Sequence, residues 1–376
     1  MNPQLKRVSI VGTGSFLPND PVPNSRLDEV LGPLTDAPER VKSFMETIGT
    51  RMLANSGVEF RHFAIDIKTR KLTHTVASLG EEAVRRALDA AGIKATDVDL
   101  LILASSNYDE TTPPTSALLQ ERLGIETCAE MEVHSNCSGV GKAIQIAYDA
   151  LRVGRYKTAV AVYPQLSSVY LRREYLNQPF MTKKQAALRY ILADGAGAVV
   201  LQAVDTPAGK AVPHELLGTF VESVGGKRPP GMTAGGGVGN LVEPDKQIVH
   251  MWKQGLHHLD QDFAAVNRDA ARTLHEGVVR MIAQLGIDPK SVSQCVFSIP
   301  TRQLYEDGVG PFMEFFGLTR NEIKFRACNT GYCGGASLLL HFDEIARNGE
   351  LKAGDVVVVH SVESSKWMTA GFVVRW

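Results

Sequence analysis

Long hydrophobic runs are missing from this 376-residue sequence: no apolar stretch reaches the roughly 18 to 20 residues that a membrane helix needs. An excess of charge is missing too, since 40 Lys+Arg against 41 Asp+Glu leave a formal net charge of −1. A chain so balanced lacks the field for sequence-independent binding to nucleic acid or anionic membranes as its main task. Cysteine is scarce. Cys128, Cys137, Cys295, Cys328 and Cys333 are odd in number and scattered, which argues against a disulfide framework and for a reducing cytoplasm. Cys328 and Cys333 lack the second pair that structural zinc spacing demands. The opening MNPQLKRVSIVGTG has a short apolar stretch and no small-residue cleavage site, so it reads as a first strand rather than a signal peptide. Secreted mini-protein, fibre, membrane protein and disordered scaffold are excluded.

What is present is the composition of an ordinary globular protein, 44% hydrophobic and 22% charged. At roughly 150 residues per domain the length predicts two or three core-forming units. Strand-like and helix-like segments alternate. KRVSIVGTGSFLP reads as a strand running into a turn, and ASLGEEAVRRALDAAGI as a helix that stops at Gly92. VDLLILASS and KTAVAVYPQ are continuous apolar runs, as expected of strands buried on both faces. PTSALLQERLGI is a second helix with Pro114 near its start, and GAGAVVLQAV a further strand. The rhythm predicts an α/β architecture with helices packed on sheets.

An internal repeat organises the chain. AGIKATDVDLLILASS, from Ala91, resembles LGIDPKSVSQCVFSIP, from Leu285. NCSGVGKAIQIAYDALRVGRYKTAVAVY resembles GYCGGASLLLHFDEIARNGELKAGDVVVVH. Pairing Val153-Gly154 with Asn348-Gly349 sets an offset of 195 residues, which places Cys137 opposite Tyr332, Ser138 opposite Cys333 and Gly139 opposite Gly334. The expected halves are 1–205 and 206–376, with the boundary at Asp205-Thr206-Pro207. Two stretches, 164–193 and 206–262, break the symmetry. The second contains GGKRPPGMTAGGGVGN, too rich in Gly and Pro for regular structure. Such insertions are commonly substrate loops or oligomer contacts; for the glycine stretch a disordered surface loop is an equal alternative.

Cys137 carries the chemistry. It follows the apparent strand AEMEV and opens a helix, where unpaired backbone N–H groups and the helix dipole favour a thiolate and lower its pKa. Those N–H groups can also stabilise an oxyanion, and the small Ser138 and Gly139 admit a substrate carbonyl. A lone Cys before a helix is more often a buried small residue; the repeat tips this one toward a nucleophile. Gly12-Thr13-Gly14 lacks the third glycine and the following helix of a dinucleotide loop, so no nicotinamide or flavin is expected.

The segment around Cys137 resembles the nucleophile segment of the β-ketoacyl-acyl-carrier-protein synthase III family, within the thiolase superfamily. SIVGTGSFLPN, GVEFRHFA, SSNYDETTPPTSALLQERLGI, ADGAGAVVLQ and the closing WMTAGFVVRW extend the likeness over nearly the whole chain outside the insertions. The resemblance implies a thiolase-like duplicated five-layer αβαβα fold, a homodimer and an acyl group held on the cysteine, with acyl-CoA or an acyl carrier protein as partner and no cofactor. The second half departs from the family. VFSIPTRQLYE puts Thr301 at the usual His, and GYCGGAS puts Tyr332 at the usual Asn, with Asn329 a substitute if the register slips. ESSK, around Glu363 to Lys366, stands in for the Gly-Gly-Gly loop.

Decarboxylative condensation relies on His and Asn donors to the developing enolate, and losing one such donor typically costs about 10²–10³ in rate. Acyl loading needs only a nucleophilic sulfur, an oxyanion hole and a leaving thiol. We therefore expect an acyltransferase that loads Cys137 and passes the group on, in polyketide, fatty-acid or other specialised metabolite biosynthesis. The alternatives are a decarboxylating synthase using Thr301, Asn329 and Tyr332, and a non-catalytic partner subunit of a related synthase. His134, His360 and Glu363 are candidate proton acceptors, each with a structural role as the commoner alternative. Ser138, Ser364 and Ser365 are candidate substrate contacts; Lys227-Arg228 or Arg172-Arg173 can attract phosphates of the donor. His257-His258 read as a partly exposed helix face.

Overall fold

The computed structural model describes residues 5–205, 210–245 and 247–376. Thr206 and Pro207, at the expected boundary, lie outside the described residues. Nine strands form the main sheet: β1 (Arg7–Phe16), β2 (Leu100–Ser105), β3 (Ala129–His134), β4 (Thr158–Leu166), β5 (Asp194–Val204), β6 (Glu215–Ser223), β7 (Val292–Phe297), β8 (Val356–Glu363) and β9 (Met368–Arg375). Six helices pack on them: α1 (Val76–Ala91), α2 (Thr115–Leu123), α3 (Gly139–Arg152), α4 (Phe263–Leu285), α5 (Arg302–Phe316) and α6 (Ala336–Arg347). The apolar runs of β2 and β4 are buried at every position, as strands covered on both faces must be. Gly92 ends α1 in the left-handed conformation that a glycine C-cap supplies.

The strand order is β7-β8-β9-β6-β1-β5-β4-β2-β3. β2 runs parallel to β3 and β4, and β5 antiparallel to β4 and β1. On the other side β7 and β8 are parallel while β9 is antiparallel to β8 and β6. The two sets join through a single pair, Ser9 with Glu215. β3 lies at one edge of the sheet, with Glu132 and His134 exposed.

Three packed interiors make five layers. α1 and α2 cover the first sheet through Leu79, Val84, Leu119 and Val160. α3 and α6 fill the middle, where Ile144 and Leu339 meet Ile102 of one sheet and Val357 and Phe372 of the other. α4 and α5 cover the second sheet through Val278 and Phe312. This is the thiolase-like αβαβα arrangement. The middle helices end at C-caps Val153 and Asn348, which are 195 residues apart, the repeat offset.

Close packing explains the glycines of two motifs. A Cβ at Gly12 would lie 2.3 Å from the Ala87 carbonyl oxygen, so the Gly12-Thr13-Gly14 segment serves the approach of α1 to β1 rather than a phosphate. A Cβ at Gly141 would stand 2.5 Å from Ala370 Cβ and 2.7 Å from the Gly371 nitrogen on β9. Backbone there cannot yield cheaply. Gly141→Ala should therefore destabilise by about 1–3 kcal/mol in urea unfolding, despite alanine's better helix propensity. An unchanged midpoint would mean that α3 and β9 are not in contact.

Parts of both insertions form regular elements among the described residues. Residues 164–193 fold into short helices, Ser168–Leu171, Arg173–Leu176 and Lys183–Ala187, beyond the end of β4. Met232–Thr233 pairs with Asp260–Gln261, and Ile248–Lys253 forms a helix. His257 and His258 correct the reading of an exposed helix face: they follow that helix in a turn and are 7% and 3% exposed, with His257 stacked on Trp252. No helix among the described residues is long and apolar enough to cross a membrane.

Candidate active site

Cys137 sits in the turn between β3 and α3, immediately before the N-cap Ser138. Its carbonyl accepts the Ser361 hydroxyl at 2.8 Å, which ties the turn to β8. Its Sγ lies 2.8 Å from the Tyr332 hydroxyl. These two residues are 195 positions apart, so equivalent points of the repeat meet face to face. Burial holds the Tyr332 phenol well above its ordinary range, which keeps it neutral and able to give or take a hydrogen bond.

The helix mouth differs from expectation. Its anion is Glu363, 2% exposed, whose carboxylate accepts the Ser138 N–H at 3.2 Å, the Ser138 hydroxyl at 2.5 Å and the Ser135 hydroxyl at 2.8 Å. The Ser365 hydroxyl binds its other oxygen. Burial alone would raise this carboxyl, but the hydroxyl bonds and the Lys142 charge outweigh it and hold the group below the usual carboxylate range. A carboxylate so engaged is a poor proton acceptor; it is a fixed negative charge at the positive end of α3. The Gly139 N–H is also taken, by the Asn136 carbonyl at 2.9 Å. Of these turn amides, the Cys137 N–H faces its own sulfur.

The consequence for the thiol reverses the expected shift. Burial pushes Cys137 up to about 12, the Tyr332 hydroxyl opposes the rise, and the Glu363 charge adds to it. The resting group is a thiol, not a thiolate. Because its proton is held above the ordinary value, alkylation by iodoacetamide should climb about ten-fold per pH unit from pH 7 to 10 without levelling off. A plateau near pH 8, read from intact mass against time, would contradict this.

Two cavities, of about 630 and 550 Å3, converge on the sulfur and share Asn136, Cys137, Leu192, Met232 and Tyr332 in their walls. The first brings together Cys137, Thr301, Tyr332, Ser364 and Ser365, with Ser298 beside them. Thr301 caps α5, its oxygen accepting the Leu304 N–H at 3.3 Å, which leaves its O–H to donate. Ser138 is fully buried with its hydroxyl on Glu363, which takes it out of reach of substrate. His134 is exposed on the rim of the second cavity.

Three expected site residues stand elsewhere. Asn329 is exposed in a turn outside both cavities. His360 is fully buried on the β8 face that carries Val356 and Val358 toward the outer helices, whereas Ser361 on the opposite face touches Cys137. Burial and the Arg280 charge push its imidazole down to about 3, so it is a neutral core histidine. Arg228 is spent on Asp269 at 3.4 Å and on the Trp367 ring at 4.2 Å. Residues that sequence reasoning missed are Asn136, Ser298 and the wall of the second cavity, where Tyr170 and Tyr175 from one insertion meet Trp252 and His257 from the other. The aromatics in both insertions were the available signal.

The duplicated five-layer arrangement, with a cysteine at the mouth of a central helix, is the thiolase-like fold. Comparison with known proteins narrows this. The family model for 3-Oxoacyl-[acyl-carrier-protein (ACP)] synthase III matches residues 131–217. The β-ketoacyl-[acyl-carrier-protein] synthase III of Neisseria meningitidis serogroup A is 25% identical over 359 residues, 95% of this chain and 96% of that protein. These matches make the chain similar to β-ketoacyl-acyl-carrier-protein synthase III-like proteins. Among solved structures, AbyA1, a tetronic acid condensing enzyme, aligns with a TM-score of 0.74 at 24% identity, covering 98% of this chain and 100% of its own. Synthase III from Pseudomonas aeruginosa PAO1 gives 0.75 at 20%, covering 98% of each chain. Cerulenin-bound OleA from Xanthomonas campestris gives 0.76 at 18%, covering 100% of this chain and 98% of its own; these likenesses bear on the fold.

Proposed function

We propose that the protein is an acyltransferase that takes an acyl group from an acyl-CoA or acyl-carrier-protein thioester onto Cys137 and hands it to an acceptor in polyketide, fatty-acid or related specialised biosynthesis. The observation that carries this reading is a partly buried Cys137 where two cavities meet, with its sulfur 2.8 Å from a neutral phenol. In loading, Sγ bonds to the thioester carbonyl carbon, the bond to the donor sulfur breaks, and the Cys137 proton ends on the departing thiol. Tyr332 can relay it, accepting one proton as it releases its own, so that no free thiolate is needed at neutral pH.

The first cavity suits the donor arm. Arg51 lines it, and Arg268 and Arg272 sit on α4 beside its wall residues Asn267 and Ala270, paired with Asp269 at 2.9 and 3.1 Å. Two guanidinium groups on one carboxylate leave positive charge for phosphates. The second cavity then receives the acyl group. No redox cofactor or metal enters this scheme. A homodimer joined along the β3 edge and a cytoplasmic setting suited to five free thiols complete the reading.

Decarboxylative condensation fits less well: Thr301 already caps α5, Asn329 is remote, and the Tyr332 hydroxyl is engaged with the sulfur. A purely structural subunit has no use for a cavity opening on a thiol. Incubation with a panel of acyl-CoA and acyl-carrier thioesters should give a single acyl adduct on Cys137 by intact mass and peptide mapping. Absence of any adduct across the panel rejects the proposal.

A further inference from the structure

The second cavity is not shaped for a plain alkyl chain. Its wall carries Tyr170, Tyr175, Trp252 and His257 in one interlocked set. Trp252 stacks on His257 with centroids 4.1 Å apart and planes at 12°, and Tyr175 meets both edge-on, at 5.7 and 4.7 Å. The Tyr175 hydroxyl donates to the His257 carbonyl at 3.2 Å, which locks the set across two insertions. Rings held at fixed angles present flat faces and edges, the geometry that aromatic partners prefer.

Polar groups in the same wall are left without partners. Ser167 lines the cavity at 1% exposure, and its hydroxyl makes no hydrogen bond within the protein. His257 is 7% exposed; neither ring nitrogen makes a well-aligned hydrogen bond, and the Tyr175 and Met251 backbones that approach the ring only partly offset the effect of burial. Burial lowers its pKa, so at neutral pH the ring is uncharged and offers one N–H and one lone pair. These groups are already shut from solvent and unsatisfied, a cost of about 1–3 kcal/mol each that an alkyl chain cannot relieve. A ligand oxygen would satisfy them.

We propose that the second cavity selects an aromatic acyl group bearing a hydroxyl or similar oxygen substituent, its ring against the Tyr175, Trp252 and His257 set and its oxygen bonded to His257 or Ser167. This rests on the reading of Cys137 as the acyl acceptor and specifies what it accepts. The chemical class is a hydroxyarenecarboxylic thioester.

The test compares hydroxybenzoyl, benzoyl, octanoyl and acetyl thioesters of N-acetylcysteamine on the full-length protein, with Cys137 acylation followed by time-resolved intact mass. Hydroxybenzoyl should load about ten-fold or more faster than octanoyl and clearly faster than benzoyl. His257→Phe keeps a ring in the wall but removes the nitrogens. It should abolish the advantage of hydroxybenzoyl over benzoyl, and Ser167→Ala should weaken that advantage. Octanoyl loading as fast as hydroxybenzoyl overturns the proposal, as does a hydroxyl advantage that survives in both variants. If no thioester loads, the acyl-enzyme reading fails instead. The cavity is then judged on Cys137→Ala by tryptophan fluorescence titration. Hydroxybenzoyl thioester binding tighter than octanoyl, with a signal lost on Trp252→Phe, supports the assignment; equal or weaker binding overturns it.

Discussion

Cys137→Ala should leave a folded protein that forms no acyl adduct with any thioester and transfers at least about 10⁴-fold more slowly than the parent chain. The size of this effect follows from what else the cavities contain. Ser298, Thr301 and Ser364 have no paired base beside them, and the Ser365 hydroxyl is bound to Glu363, a carboxylate held below its usual range and a poor proton acceptor, so none can replace a sulfur nucleophile. Cys333 is next to Tyr332 in sequence but fully buried, its thiol bonded to the Asp194 carbonyl at 3.2 Å and pushed well up by burial. The fold should tolerate the change, because Cys137 is only half-buried and its bond to Ser361 uses the backbone. Far-ultraviolet circular dichroism and a thermal melt check the fold; intact mass checks the adduct. Turnover that survives in the variant would show that acyl transfer does not pass through Cys137.

Glu363→Gln should act on two measurements at once. The side chain is 2% exposed and accepts the Ser138 N–H and three hydroxyls. A glutamine of the same shape turns an NH2 toward some of those donors, which leaves buried polar groups unmatched and costs about 1–3 kcal/mol in urea unfolding. The second effect has the opposite sense for reactivity. Glu363 is a negative charge that raises the Cys137 thiol pKa, so its neutralisation lowers that pKa. Alkylation of Cys137 at pH 8 should then be faster in the less stable protein. A carboxylate that served as the catalytic base would give the reverse, slower alkylation together with lost loading, and that pairing would refute the role assigned here.

Much of the architecture was legible before any coordinates, for reasons visible in particular residues. The apolar runs of β2 and β4 can only be strands covered on both faces, and Gly92 can only close α1. The repeat offset that aligned Cys137 with Tyr332 identified two side chains that prove to touch. The electrostatics at Cys137 were not legible. A helix N-terminus attracts an anion, but sequence does not say which one: Glu363, 226 residues away, occupies the place expected for the thiolate. His360 misled because alternation along β8 depends on register, and one residue decides between the Cys137 face and the outer helices. Asn329 and Arg228 failed for a related reason, since neighbours in sequence need not share a wall. The aromatic set of the second cavity lies in two insertions with no periodicity, joined only by tertiary packing.

The position of β3 has a mechanical corollary. The strand ends at His134, three residues before Cys137, and its outer side is free of strand partners among the described residues. Whatever docks along that margin grips the same short tether that sets the aim of Cys137. An assembly that used this margin would be coupled to Cys137 through one stretch of backbone, so that a change in its contacts would shift the sulfur without touching the chamber around it.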